Sequence, residues 1–194
     1  MIEQRTPEWH QERAGKLTGS CFAAALGLSP YMSRQKLWRL LTGREQQQPG
    51  NAAMEYGVIH EPIAIDWYEC ETGNLVTQVG FVPHGDYLGA SPDGLVGRDG
   101  AIEVKAPLAK AHESIPEHYM PQCVGVLHIC KRQWLDFISW HPERQIVHRI
   151  TAEKTASLWA SWEAQLIEFY EQFVLADREP PRKRRSNARS GEVV

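Results

Sequence analysis

A chain of 194 residues is long enough for one domain with a real hydrophobic core and too short for two comfortable ones. An apolar fraction of 42% with seven Trp excludes wholesale disorder, and no apolar run approaches the roughly 18 to 20 residues needed to span a membrane. Net charge is −3, but residues 177–194 carry six basic against three acidic side chains, which leaves −6 on residues 1–176 and argues against a protein that coats nucleic acid by bulk electrostatics.

The opening Met1-Ile2-Glu3-Gln4-Arg5 lacks the basic-then-apolar pattern of a signal peptide, so a cytoplasmic location is expected. Thr6-Pro7-Glu8 reads as a helix start, with the helix running to about Gly15. Thr18-Gly19-Ser20 caps a second helix through Cys21–Leu26, ended by Gly27. Ser33 caps a third, with Leu37, Leu40 and Leu41 on its buried stripe. Asn51 or Ala52 opens a longer one to about Thr72, whose Ile59, Ile63 and Trp67 recur every four residues. The texture then changes to short β-leaning segments at Leu75–Pro83, Tyr87–Ser91, Leu95–Val96 and Ala101–Lys105. A helix is expected from Pro116 to about His128, then two strands, Gln133–Trp140 and Gln145–Ile150, around His141-Pro142-Glu143. The closing helix, about Ala152–Ala176, carries Leu158, Trp162, Leu166, Phe169, Phe173 and Ala176 at helical spacing. These elements predict a single α/β domain over 1–176, a central mixed twisted sheet flanked by helices, followed by a basic, disordered tail over 177–194.

Cys21, Cys70, Cys123 and Cys130 form no C-x-x-C pair and read as buried free thiols. The eight His show no zinc-binding spacing, so no zinc site is expected. The chemistry concentrates elsewhere. Ser91-Pro92-Asp93-Gly94 has the residue order of a type I turn, and Glu103 stands ten residues after Asp93 inside Ala101-Ile102-Glu103-Val104-Lys105. If that segment is a strand, Ile102 and Val104 face the core while Glu103 and Lys105 project together from the other face. A hairpin turn at Gly97-Arg98-Asp99-Gly100 brings the strand back beside Asp93. Two carboxylates and an ammonium then converge. Such a group suits phosphodiester hydrolysis: hard oxygen ligands hold Mg²⁺ or Mn²⁺, and the lysine orients the attacking water or accepts its proton. The spacing alone is equally that of a surface salt bridge beside a Pro-Asp-Gly turn.

Four motifs in order carry a resemblance that covers roughly residues 8–125: Arg13-Ala14-Gly15-Lys16-Leu17-Thr18-Gly19-Ser20, Gly57-Val58-Ile59-His60-Glu61-Pro62, Ser91-Pro92-Asp93-Gly94 with Ile102-Glu103-Val104-Lys105, and Tyr119-Met120-Pro121-Gln122. The chain resembles the lambda-exonuclease or YqaJ-like viral recombinase family of PD-(D/E)xK nucleases. The resemblance implies metal binding by Asp93, Glu103 and the Val104 carbonyl, with two ions per site, Lys105 positioning the nucleophilic water and Glu61 reaching the metals. It implies a 5′-phosphate pocket of Arg13, Ser20, Ser91 and Gln122, a set that pairs one guanidinium with neutral donors. Pro121 lies inside the last motif and leaves the aim of Gln122 less constrained than the rest.

Tyr119 is a candidate support for the site or a core aromatic. Met54 is a candidate wedge between terminal base pairs or a core side chain. Arg34, with Tyr31 and Lys36 on the Ser29–Lys36 loop, touches duplex DNA or belongs to an ordinary solvated loop. The activity implied is digestion of one strand of linear double-stranded DNA from a 5′-phosphorylated end, 5′ to 3′, leaving a 3′ single strand. A homotrimeric toroid and a single-strand annealing protein are the implied partners, with no membrane. Two alternatives remain: a PD-(D/E)xK endonuclease, and a catalytically inactive DNA-binding module on the same fold.

Overall fold

The computed structural model of the chain describes residues 4–182. Its elements run α1 (Pro7–Arg13), β1 (Leu17–Thr18), α2 (Gly19–Ala25), α3 (Arg34–Leu41), α4 (Ala52–Thr72), β2 (Val76–Thr77), β3 (Val82–His84) and β4 (Leu88–Ala90). There follow β5 (Gly94–Val96), β6 (Gly100–Lys105), α5 (Met120–Ile129), β7 (Trp134–His141), β8 (Arg144–Thr151) and α6 (Ala152–Phe169), which passes into a π-helix at Tyr170–Leu175. The caps explain most of the starts. Thr6, Ser33, Asn51 and Thr151 each accept a backbone N–H three residues on, ahead of α1, α3, α4 and α6.

The domain is mixed α/β, as its sequence pattern predicts, with the strands divided between two sheets. Five strands stand in the order β2-β5-β6-β7-β8, where only β6 and β7 are parallel; three stand in the order β1-β4-β3. The expected Leu75–Pro83 strand is broken, its two ends serving different sheets. Ser91-Pro92-Asp93 carries the chain from the small sheet to the large one as a bend rather than a hydrogen-bonded turn. Central strand β6 is covered on both faces. Ile102 and Val104 pack with Ala64, Ile65 and Tyr68 of α4, and Ala101 packs with Leu135, Phe137 and the cluster of α2, α5 and α6. The face that carries Glu103 is therefore interior, not solvent.

Three helical expectations are corrected. On α4, Ile59 is 62% and Ile63 45% exposed, and the buried positions are Ala64, Ile65 and Tyr68. Ala64 permits close approach to β6, and the Tyr68 hydroxyl donates to Asp136 at 2.7 Å inside the core, so this face docks and the larger aliphatics turn outward. On α6, Leu158 is exposed while Thr155 and Trp159 are buried. Leu166, Phe169, Tyr170 and Phe173 continue the buried stripe at ordinary helical spacing into the π-helix, and Ala176, at its end, lies outside. Among the thiols, Cys123 is buried, but Cys70 lies exposed on the outer side of α4.

The chain continues against α3 beyond Ala176: Asp177 pairs with Arg44 at 2.7 Å, Glu179 with Arg39 at 3.6 Å, and Pro180 is buried. The rest of the expected tail, 183–194, lies outside the described residues. Among the described residues no helix is long and apolar enough to cross a membrane.

Helices α2 and α5 meet closely because Gly125 offers no side chain: a Cβ there would stand 2.4 Å from the ring of fully buried Phe22. Gly125→Ala is expected to destabilise the fold by about 1–3 kcal/mol, read as a lower midpoint in chemical denaturation at unchanged slope.

Candidate active site

The antiparallel register pairs Gly94 with Ile102, and one step further it sets Asp93 across from Glu103. Strand β5 begins at Gly94, so this edge of β6 has no strand partner beyond Ile102. The Val104 N–H, which points to that edge, donates to Asp93 Oδ2 at 2.7 Å. A strand residue presents its N–H and C=O on the same side, so the Val104 carbonyl opens toward Asp93 as well. Glu103 is 0% exposed; its Oε1 accepts from Lys105 Nζ at 2.5 Å, and its Oε2 is buried with no hydrogen-bond partner among the described residues. Glu61, on α4, is held by Arg5 at 2.7 Å.

Each of these carboxyls is pushed above its ordinary value. Burial and then the neighbouring Asp93 raise Glu103 to about 8, against the pull of Lys105. Burial raises Asp93 although Lys105, the Val104 N–H and Arg5 oppose it. Glu61 is raised by burial and by Asp93, with Arg5 and Lys105 opposing. Burial pulls Lys105 down, but Glu103 and Asp93 outweigh it and hold the ammonium charged, above its ordinary value. Three carboxyls thus share two cations in a desolvated place, and each favours gaining a proton or a further cation. Among the described residues no group of three or more His, Cys, Asp or Glu side chains forms a metal cage by itself. The donor set nevertheless fits a hard divalent cation: two opposed carboxyls, a backbone carbonyl on a free strand edge and an orphaned buried Oε2.

Beside this centre lies a cleft of about 150 Å³ lined by Arg13, Ser20, Ser91 and Gln122 together with Asp93 and Glu61. All four residues of the expected anion pocket therefore meet, and they meet the carboxylates. The C-terminal turn of α1 supplies Arg13, whose guanidinium stacks 3.9 Å from the Trp9 ring and donates to Ser91 Oγ at 2.8 Å and Thr18 Oγ1 at 3.3 Å. Burial lowers Arg13 from its ordinary value, which is a desolvation cost that an anion would relieve. Thr18 Oγ1 and Ser20 Oγ share a hydrogen bond of 3.3 Å. Gln122 reaches the cleft because Pro121 occupies the first turn of α5, where proline costs nothing.

The cleft also holds Gln4, Arg5 and Trp9, which sequence reasoning passed over. Gln4 Nε2 donates to Val79 O at 2.8 Å and Pro92 O at 2.7 Å, pinning the N-terminal segment across the bend. Arg5 has a φ of +68°, a left-handed backbone rare outside glycine and common at functional sites. Only the proximity of Arg5 to a motif residue in space could have found it. Of the other candidates, Tyr119 lies against the centre, with Lys105 Nζ 5.2 Å from its ring. Met54 is 54% exposed on the first turn of α4 and is not a core side chain. Arg34 stands apart from the cleft, its guanidinium 5.1 Å from the rings of Phe169 and Phe173.

The YqaJ-like viral recombinase domain matches residues 8–133, a stretch that contains Arg13, Ser20, Glu61, Ser91, Asp93, Glu103, Lys105 and Gln122 but not Gln4 or Arg5, and the chain belongs to that family. An alkaline exonuclease from Laribacter hongkongensis, LHK-Exo, superposes with a TM-score of 0.74 at 33% identity, over 89% of this chain and 94% of that one. LHK-Exo in complex with dAMP gives 0.76 at 32%, with the same coverage. A phage-related exonuclease from Haemophilus somnus shares the fold, with a TM-score of 0.57 and 14% identity over 91% of each chain. Protein D345L of African swine fever virus is 28% identical over 156 residues, 62% of this chain and 44% of the viral protein, so the chain spans less than half the length of that relative. The fold is that of the PD-(D/E)xK phage-type exonucleases, and homology to alkaline exonucleases supports a nuclease.

The raised carboxyl gives a signed pH effect. Glu103 binds its proton more tightly folded than unfolded, so stability falls as pH rises from the ordinary Glu range to about 8. In a chelator, thermal melts from pH 5 to 9 are expected to show that decline, and Glu103→Gln is expected to flatten it.

Proposed function

We propose that this chain is a Mg²⁺-dependent exonuclease that digests one strand of linear double-stranded DNA, 5′ to 3′, from a 5′-phosphorylated end. The observation that carries the reading is the single cleft in which Arg13, Ser20, Ser91 and Gln122 adjoin Asp93 and Glu61. An enzyme that reads a phosphorylated end needs an anion pocket beside its carboxylates, and Arg13 with three neutral donors supplies one suited to a terminal phosphate.

Asp93, Glu103 and the Val104 carbonyl would hold divalent cations, Mg²⁺ or Mn²⁺ and two in number, with Glu61 reaching them once Arg5 lets go. Bound there, they would neutralise the scissile phosphate and acidify a water. Lys105, kept charged by Glu103 and Asp93, is suited to orient that water and donate to phosphate rather than to take a proton. Arg13 and the hydroxyls of Ser20 and Ser91 would fix the terminal phosphate by charge-assisted hydrogen bonds. Cleavage of the bond between phosphorus and the 3′ oxygen leaves phosphate on the new 5′ end. Each turn thus regenerates the group that Arg13 reads, which makes repeated digestion a consequence of the pocket.

The same reading includes a homotrimeric ring, a cytoplasmic setting and transfer of the surviving 3′ strand to a single-strand annealing protein. The exposed apolar side of α4, with Val58, Ile59 and Ile63, supports association with further copies, and Met54 on its first turn suits an apolar wedge at the duplex end. A closed ring would let an acidic body retain DNA by topology.

A time course on linear duplex with one 5′-phosphorylated end and each strand labelled tests the reading. Loss of the phosphorylated strand alone, from its 5′ end and only with Mg²⁺ or Mn²⁺, is expected; equal cutting of circles would show an endonuclease. Arg13→Gln is expected to lower kcat/KM on the 5′-phosphorylated end about 10- to 100-fold, through the lost charged hydrogen bonds, with little change on a 5′-hydroxyl end.

A further inference from the structure

From Lys105 a ladder of rings leads toward solvent on the β7 side of β6, where Tyr119 lies 6.0 Å from Phe137, whereas Asp93 stands at the opposite, β5 edge. Lys105 Nζ lies 5.2 Å from the Tyr119 ring, Tyr119 lies 4.1 Å from the ring of His118, and Tyr31 meets His118 edge-on at 5.3 Å. Tyr31 ends the ladder with 76% of its surface exposed. A single exposed aromatic on a surface needs no explanation, but two further observations set this one apart. Its loop is built to hold it: Ser29 Oγ accepts from the backbone N–H of Tyr31 at 3.2 Å and of Met32 at 3.1 Å, and Pro30 stiffens the residue between. Beneath it, His118 Nε2 is buried with no hydrogen-bond partner among the described residues, so the ring that backs Tyr31 serves as an aromatic surface rather than as a hydrogen-bonding group.

We propose that Tyr31, backed by His118 and Tyr119, is a stacking platform for a nucleobase of the substrate strand on the 3′ side of the scissile bond. This rests on the exonuclease reading and adds a direction to it. With the terminal phosphate beside Arg13 and the scissile phosphate at Asp93 and Glu103, the strand continues past Lys105 toward Tyr119, His118 and Tyr31. The base it carries there is that of the second or third nucleotide. The ligand class is an unpaired or terminal base of any identity, because every base offers a π-face and the platform offers no paired donors and acceptors to discriminate among them. Burial and Lys105 lower His118 from its ordinary value, so the platform presents a neutral ring at neutral and alkaline pH. Tyr119, within reach of both Lys105 and His118, is the rung between platform and centre.

The test uses 5′-phosphorylated duplex carrying 5-iodouracil at nucleotide two, three, four or five, bound to Asp93→Asn protein and irradiated. The expected cross-link maps to Tyr31 from position two or three, persists in Tyr31→Phe and disappears in Tyr31→Leu. With Asp93 intact, Tyr31→Leu is expected to raise KM about tenfold, the low end of one base–aromatic stack, at unchanged melting temperature because the ring is exposed. A cross-link that maps elsewhere, or one that Tyr31→Leu leaves unchanged, overturns the platform, as does an unaltered KM. Cross-linking at Tyr31 by a chain that digests no DNA would instead overturn the exonuclease reading and leave the platform standing.

Discussion

The Glu103 carboxyl, buried in the central strand with one oxygen on Lys105 and the other unpartnered, is the constraint around which the site is arranged. Removing a carboxylate from water costs several kcal/mol even after relaxation, and one lysine returns only part of that. The register across β5 and β6 adds Asp93 opposite, and the approach of Glu61 adds a third carboxyl. An arrangement built for stability alone would have filled these positions with aliphatics, as Ile102 and Val104 do on the other side of the same strand. The instability is local and chemical: protons relieve it, and under the proposed function a divalent cation would relieve it as well.

Around that centre the fold works as a set of short rigid holders. Val76 lies so close to Gly94 that a Cβ on Gly94 would come within 2.2 Å of it, which fixes the start of β5 and with it Asp93. Trp9 and Ser91 immobilise Arg13, and Gln4 ties the N-terminal segment to the bend that precedes Asp93. The small sheet leads into Ser91 and Asp93 leads into the large sheet, so the Arg13 cleft and the carboxylates are joined through the single residue Pro92.

Much of this was legible in the sequence because the relevant signals are local. Caps at Thr6, Ser33 and Asn51, the hairpin at Gly97 and the alternation through Ala101–Lys105 each follow from a few neighbouring residues, and the site motifs follow from family spacing. What failed was non-local. The Ile59 and Ile63 stripe of α4 has correct helical spacing, but the face that docks was decided by Ala64 and by the buried Tyr68–Asp136 bond, whose partners are 68 residues apart. On α6 the exposed Leu158 lies in the regular helix, where Thr155 and Trp159 take the docked face, and only Ala176 lies beyond the π-helix. Arg5 carries no motif, and its place in the cleft depends on contacts of Gln4 with Val79 and Pro92. Arg34 packs over Phe169 and Phe173, a contact across more than 130 residues of chain that its loop sequence does not show.

The central claim is that Asp93 with Glu103 and Lys105 cuts, while Arg13 with its neighbours reads the end. Fluorescence anisotropy of Asp93→Asn with 5′-phosphorylated and 5′-hydroxyl duplexes, run beside a digestion assay in Mg²⁺, separates the two halves directly. The predicted result is retained preference for the phosphorylated end with digestion abolished. Digestion by Asp93→Asn at the wild-type rate would contradict the account.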